Sequence, residues 1–270
     1  MQKRRLEYSS SSCFHFARYI TLYVIYLKLE RHQHSNMDAK VLKEARRTKN
    51  WSQEQTALAL EVTQAYLSML EKGRRPLSER FVSKALKVLD VPSTALPLRS
   101  DPTATPASSR MRDFSADLSA LGYPVFSYLR ARRRRNPAEV LLDALNQANL
   151  DSQVAEGLPW LALTYVDMDW NWLVRNAKLH DRQNRLAFAL AVASQVAAGN
   201  NDQAREDKLR QHVECLENSR LAREDTFCHD SMTEHEREWL RQHRSTTAAH
   251  WNLLTDMRAE NLRGASVVAP

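Results

Sequence analysis

Residues 52–73 read SQEQTALALEVTQAYLSMLEKG, and the fold turns on whether they make two short helices crossing at a tight turn. Ser52 is suited to cap a first helix, with Gln55 three residues on completing a capping box. Ala57 is small, as required where two helices approach closely. Leu60 and Val62 bracket the turn and are expected to point inward. Thr63 then caps a second helix, and Val62 against Leu67 supplies a hydrophobic staple. Leu67 and Leu70 share its inner face. Between the two helices stands Glu61, where glycine would be the easy choice.

The opposite face of the second helix carries Ala65, Ser68, Met69 and Lys72, with Gln64 at its N-terminus and Tyr66 at the flank. Short, uncharged groups at a helix N-terminus suit close approach to base edges, and a glutamine there can pair bidentately with adenine. A pair of helices kept only for protein contacts would satisfy the same inner pattern.

Around this core, LKEARRTKNWSQEQTALALEVTQAYLSMLEKGRRPLSERFVSKALKVLDV carries further spaced features. They are the Ser-Gln opening, Ala57, the Leu-x-Val-Thr-Gln turn, the Ser-x-Leu-Glu-x-Gly closure at 68–73 and the Ala-Leu-x-Val-Leu-x-Val helix at 85–91. Residues 41–96 thereby resemble the phage repressor and Cro-like, or xenobiotic-response-element, helix–turn–helix domain. The resemblance implies a five-helix domain whose third helix enters the major groove of double-stranded DNA. It implies that Gln53 touches phosphate, that Thr63, Gln64, Ala65, Tyr66 and Ser68 face DNA, and that Lys72, Arg74 and Arg75 neutralise phosphates. It also implies an ion pair between Arg46 and Glu71. Glu61 departs from the family's glycine, so it must take a left-handed conformation, at a cost of about 1 kcal/mol, or widen the turn.

The bulk numbers agree with this reading. Of the 270 residues, 43% are hydrophobic and 26% charged, as in ordinary soluble proteins. A net charge of +7 and a pI near 9.4 favour a polyanionic partner. Alternating β-branched runs are scarce after residue 37, so the expected class is all-α: the N-terminal domain, a linker and a larger C-terminal helical domain. Five glycines, each near the end of a helical pattern, imply few turns with positive φ. Cys13, Cys215 and Cys228 are odd in number and widely spaced, against a disulfide framework and in keeping with a cytoplasmic protein.

Residues 1–36 differ from the rest. MQKRR precedes the apolar run YITLYVIYL at 19–27, which lacks a small-residue cleavage site and is shorter than the roughly 20 residues of a membrane span. The expectation is an upstream extension with the native start at Met37; an interfacial anchor is the rival. The organisation expected is then 37–96 for the DNA-binding domain, 97–110 for a Pro/Ser/Thr linker, 111–263 for the helical domain and 264–270 for a tail.

In the second region NPAE at 136–139 reads as a helix start, with Asn136 as cap, Pro137 first in the helix and Glu139 reaching back. SMTE and TEHE offer overlapping capping boxes over 231–236. The run RARRRR at 130–135 suits either a polyanion or a solvated helix end. Residues 166–196 read as one long helix or two abutting ones, with His180 and Asn184 marking a polar ligand pocket, a capped break or a hydrogen-bonded buried pair. Asp167 and Asp169 look like caps and not a catalytic pair.

Cys215, Cys228, His229 and His235 lack the tight local pairs that zinc requires, so no metal is expected. The adjacency of Cys228 and His229 does not make a nucleophile and base. With no Gly-rich phosphate loop, neither a cofactor nor enzymatic activity is expected. The segments LGYPVFSYLRARRRRNPAEVLLDAL, KLHDRQNRLAF and SRLAREDTFC through HWNLLTD resemble the C-terminal region of uncharacterised bacterial regulators with the same N-terminal domain.

The expected function is a sequence-specific DNA-binding transcriptional regulator, a repressor, bound as a homodimer because one domain covers a half-site. The C-terminal region would hold the dimer contacts, a protein partner or a small-molecule effector, with no membrane role. The alternative is an antitoxin that holds a toxin through 111–263 and represses its own operon. A scaffold whose helix–turn–helix no longer reads sequence is the third reading.

Overall fold

The computed structural model describes residues 39–99, 113–129 and 134–262. The expected extension at 1–36, residues 100–110 of the linker, Arg130 to Arg133 of the basic run and the tail at 264–270 lie outside the described residues. The chain divides into two compact units between Val88 and Leu89.

The first unit contains helices α1 (Ala39–Thr48), α2 (Gln53–Ala59), α3 (Gln64–Glu71) and α4 (Glu79–Val88). Each is too short to be stable alone, so burial of an apolar stripe must hold it. That stripe is Leu42 from α1, Ala57 and Leu60 around α2, Leu67 and Leu70 from α3, and Val82, Ala85 and Leu86 from α4, all buried. Helix α3 packs on both α1 and α2. The caps are as expected: Ser52 and Gln55 form a reciprocal box at 3.1 and 2.8 Å, and Thr63 accepts from the Tyr66 amide at 3.2 Å.

The turn at Glu61 is a left-handed helix stop. Glu61 has φ +56°, and the Val62 amide reaches back to the Ala57 carbonyl at 2.9 Å. This six-to-one hydrogen bond is the Schellman closure, which satisfies carbonyls that the helix end leaves open. The same closure follows α1, where Asn50 has φ +55° and Trp51 bonds to the Arg46 carbonyl at 3.1 Å. Gly73 at φ +68° repeats it after α3, with Arg74 bonded to Met69 at 2.9 Å.

The second unit begins with Leu89–Arg99, including the 3-10 turn Ser93–Ala95. Its helices are α5 (Phe114–Ala120), α6 (Pro137–Leu145), α7 (Ser152–Thr164), α8 (Trp170–Leu179), α9 (Gln183–Gly199), α10 (Gln203–Glu217), α11 (Glu234–His243) and α12 (Thr246–His250). Helix α9 is the centre: Leu186, Ala187, Phe188, Ala189, Leu190 and Ala193 are fully buried. A helix with apolar residues on every side must be surrounded, and α6, α7, α8, α10 and α12 pack around it. Two parallel two-residue strands, β1 (Asp225–Thr226) and β2 (Leu253–Leu254), are joined through α11 and α12. The all-α expectation holds.

Several local expectations change. Positive φ is common: seven non-glycine residues among the described ones adopt it, including Asn50, Asp90, Asp181, Asn201 and Asn252, each two residues past a helix end. Asparagine and aspartate tolerate this region, so the scarcity of glycine does not limit such turns. Gly157 does not end a helix but lies within α7, where an added Cβ would meet Leu118 Cδ1 at 2.8 Å. Close packing of α7 on α5 is therefore what requires glycine there. Of the two acids before α8 only Asp169 is a cap, accepting from the Trp172 amide at 2.9 Å, while Asp167 pairs with Lys208 at 2.8 Å. Thr233 and Glu236 form the capping box of α11, whereas the Ser231 amide bonds to Asn149.

Candidate nucleic-acid interface

Helix α3 presents two contrasting faces. Leu67, Leu70 and the Glu71 carboxylate turn inward, while Thr63, Gln64 and Ala65 are exposed and Tyr66, Ser68 and Met69 are half-buried. The outward set begins at the helix N-terminus, where backbone amides and the helix dipole favour an anion.

A run of hydrogen bonds links the interior to that surface. Arg46 clasps Glu71 through Nε at 2.6 Å and Nη2 at 3.1 Å. Its remaining guanidinium nitrogen donates to the Trp51 carbonyl at 2.9 Å, fixing the α1–α2 connection. Glu71 Oε2 also accepts from Gln53 Nε2 at 2.8 Å, and Gln53 Oε1 accepts from Gln64 Nε2 at 2.9 Å. Burial pushes the Glu71 carboxyl upward, but hydrogen bonds from Arg46 and Gln53 and the nearby positive charge bring it below its ordinary range. The hydrogen bond that Arg46 donates to Glu71 in turn raises the Arg46 pKa. Both partners stay charged, and Gln64 is held by one N–H while its carbonyl oxygen and second N–H stay available.

The basic end of the site follows α3. Lys72, Arg74 and Arg75 are all exposed, and none has an ion-pair partner among the described residues. The Arg75 guanidinium lies 5.9 Å from the Tyr66 ring centroid, and that ring meets Phe81 of α4 edge-on at 6.4 Å. Tyr66 is thus braced on one side by the core and carries a cation on the other. Glu61, at the turn, is 83% exposed in its side chain and pairs with Lys84 at 2.6 Å. That hydrogen bond and charge lower the Glu61 carboxyl.

The second unit disposes of its candidate residues differently. His180 caps the C-terminus of α8, Asp181 takes φ +55° and α9 starts at Gln183, so the long segment is two helices with a break. Asn184 does not pair with His180; its amide donates to the carbonyls of Leu221 and Trp251 at 2.9 and 2.8 Å and its oxygen accepts from the Leu221 amide. Next to it Arg185, 1% exposed, binds both oxygens of Asp225 at 2.8 Å, Asp230 at 3.0 Å and the carbonyls of Leu145 and Gln147. Three segments far apart in sequence therefore meet at one buried polar hub.

A second cluster absorbs the end of the basic run. Arg135 pairs with Asp117 at 2.8 Å and with Asp143. Burial opposes its charge, yet those two carboxylates raise its pKa. Arg135 is thus an internal ion-pair partner, neither a free phosphate ligand nor a solvated helix end. Arg99 joins it, with its amide on Glu139 at 2.7 Å and its guanidinium on Asp143 at 2.6 Å. Glu139 accordingly faces Arg99 and does not reach back to Asn136, whose side chain caps α6 and holds the carbonyls of Thr94 and Leu96. Spacing shows neither hub: Asp225 and Asp230 lie far from Arg185 in sequence, and Arg135 faces α6 only because Asp117 of α5 and Arg99 are packed against the same carboxylates.

Cys228 is buried, and its thiol is pushed up to about 11 by burial, with Arg185 pulling the other way. A thiol so protonated is no ready nucleophile. Among the described residues no cluster of histidine, cysteine, aspartate and glutamate could hold a metal ion. No helix among them is long and apolar enough to cross a membrane.

Residues 42–96 match the helix-turn-helix family. No curated protein matches the chain, and no solved structure does. The N-terminal part of the chain is thus a helix–turn–helix domain of the kind carried by DNA-binding transcription regulators.

Proposed function

We propose that this chain is a sequence-specific transcriptional repressor of the phage repressor and Cro-like kind, which inserts α3 into the major groove of double-stranded DNA. The observation that carries the proposal is the arrangement of Gln64: exposed at the N-terminus of α3 and steadied by Gln53, with free hydrogen-bonding capacity remaining. Such a glutamine can read adenine with paired bonds. Thr63, Ala65, Tyr66 and Ser68 border the same groove edge, and the second N–H of Gln53 remains for phosphate. Lys72, Arg74 and Arg75 supply the cations that set register and salt dependence.

The chain acts as a cytoplasmic homodimer on a two-fold operator, because one domain of this size covers a half-site. The second unit supplies the dimer contacts. Selection of bound sequences from a random DNA pool, at low and at moderate salt, tests the proposal. A two-fold motif enriched at both salts is the expected result. Binding without an enriched motif, abolished by moderate salt, would refute sequence reading. Repression then requires that a reporter under the selected motif falls when the protein is expressed; a rise would reverse the sign.

A further inference from the structure

We propose that the groove between α8 and α10 binds a small organic acid with a flat apolar body, such as an aromatic carboxylate. The groove is open to solvent and holds about 410 Å³, within the range that accommodates small ligands. Its wall is aromatic: Trp170 and His212 stack with centroids 4.6 Å apart and planes at 25°. Trp170 is 8% exposed, with His212 across one face and its indole N–H spent on the Val166 carbonyl at 2.7 Å, so it borders the groove only as an apolar edge with no unmet donor. Val174 and the 60% exposed Leu179 extend that surface along α8.

Arg175 and Lys178 stand on the same helix, three residues apart, exposed and facing the groove. Neither side chain has a hydrogen-bond or ion-pair partner among the described residues, and no lining residue is acidic. Burial holds His212 below its ordinary pKa, so at neutral pH the positive charge of the groove comes from the two longer side chains. An apolar platform with unpaired cations at its edge complements a planar hydrophobic anion in both shape and sign. A neutral aromatic would leave the cations unused, and a small inorganic anion would leave the platform uncovered. This site lies wholly in the second unit and stands or falls apart from DNA reading.

The full chain is titrated with the fluorescent probe anilinonaphthalene sulfonate, and naphthoate and neutral naphthalene methanol are used as competitors. Saturable binding at one site is expected, with naphthoate displacing the probe at least about tenfold more effectively than the alcohol. Arg175→Gln with Lys178→Gln, both at exposed positions, should weaken naphthoate by about tenfold or more while leaving the circular dichroism unchanged. Exposed Cys215 lines the groove and gives a readout on the unaltered chain: saturating naphthoate should slow its alkylation. Equal displacement by acid and alcohol, unchanged affinity in the double variant, or undiminished alkylation of Cys215 would each overturn the proposal. Loss of self-association in the double variant, with no probe bound to the unaltered chain, would instead make the groove a contact between two copies and would equally overturn it.

Discussion

Arg46 and Glu71 meet through two parallel hydrogen bonds, and Glu71 passes the constraint through Gln53 to Gln64 on the surface. The pair therefore does more than join α1 to α3. Glu71 has a side chain only 2% exposed and Arg46 one 13% exposed. Removing one partner strands the other charge away from water, at a cost of about 3 kcal/mol. Arg46→Ala should shift the urea midpoint of the first unit downward, read by hydrogen exchange across residues 39–88. Unchanged protection of those amides would show that the pair contributes little.

Gln64 and the cations beyond α3 should fail in distinguishable ways. Gln64→Ala should cost about 1–3 kcal/mol at its preferred base pair and relax the choice of base there. Replacing Lys72, Arg74 or Arg75 by alanine should weaken all sequences alike and reduce the salt slope by about one for each phosphate left without its cation. Binding isotherms on a preferred and a scrambled duplex, over a range of salt, separate the two. A uniform loss from Gln64→Ala would remove it as a reader of sequence.

Glu61 offers a test of what the turn costs. It holds φ +56° with an exposed ion pair to Lys84, and exposed pairs contribute little. Glycine adopts that conformation without strain. Glu61→Gly is expected to leave DNA affinity unchanged and to stabilise the first unit by up to about 1 kcal/mol. Glu61→Val should destabilise it, since a β-branched residue is poorly tolerated at positive φ. Thermal unfolding of the two variants checks the order; a glycine variant less stable than the valine one would refute it.

The first unit is legible in the sequence because its signals are local or periodic. Ser52 with Gln55, Thr63, and the inward Leu67 and Leu70 all follow from spacing within a few residues. The Arg46–Glu71 pair comes through family resemblance, since nothing in spacing alone joins those positions. Arg185 is illegible for a physical reason: nothing local to QNRLAFAL signals a buried charge, and its partners Asp225 of β1 and Asp230 beyond it lie far along the chain. Helix stops at Asn50, Asp181 and Asn201 escape a search for glycine, because these side chains also tolerate positive φ. The groove is equally invisible, because Cys215 and His212 reach Trp170 only when α10 packs beside α8.

The Arg185 hub gives the second unit an acid-sensitive bond. Burial raises the Asp225 carboxyl, but hydrogen bonding and charge from Arg185 outweigh it and leave the folded pKa below the ordinary value of 3.8. A depressed carboxyl contributes stability above its unfolded pKa and loses it as pH falls through the folded one. The second unit should therefore weaken as pH falls from about 5 downward. Asp225→Asn should be less stable at neutral pH, by about 3 kcal/mol because Arg185 is buried, with a flatter dependence on acid. Urea unfolding at several pH values measures both; an unaltered acid dependence would exclude Asp225 as its source.

Cys228 and Cys215 should differ sharply in reactivity, and the cause can be separated. Cys215 is exposed, whereas Cys228 is buried with Sγ 3.6 Å from the Ala144 carbonyl and 3.7 Å from an Arg185 nitrogen. Its thiol rises from the ordinary 9.0 to about 11, which lowers its thiolate fraction near pH 8 about a hundredfold. Because the raised thiol favours the folded state in its protonated form, that contribution is complete below the usual thiol range. It is lost as pH climbs through about 11. Peptide mapping after iodoacetamide treatment at pH 8 should show Cys215 alkylated first and Cys228 at least about a hundredfold later. Asp225→Asn weakens the hub beside Cys228 and should bring its labelling forward by more than it changes Cys215, because opening then limits access. Equal labelling of both cysteines in the unaltered chain would mean that Cys228 is not enclosed by α6, α9 and the β1 loop.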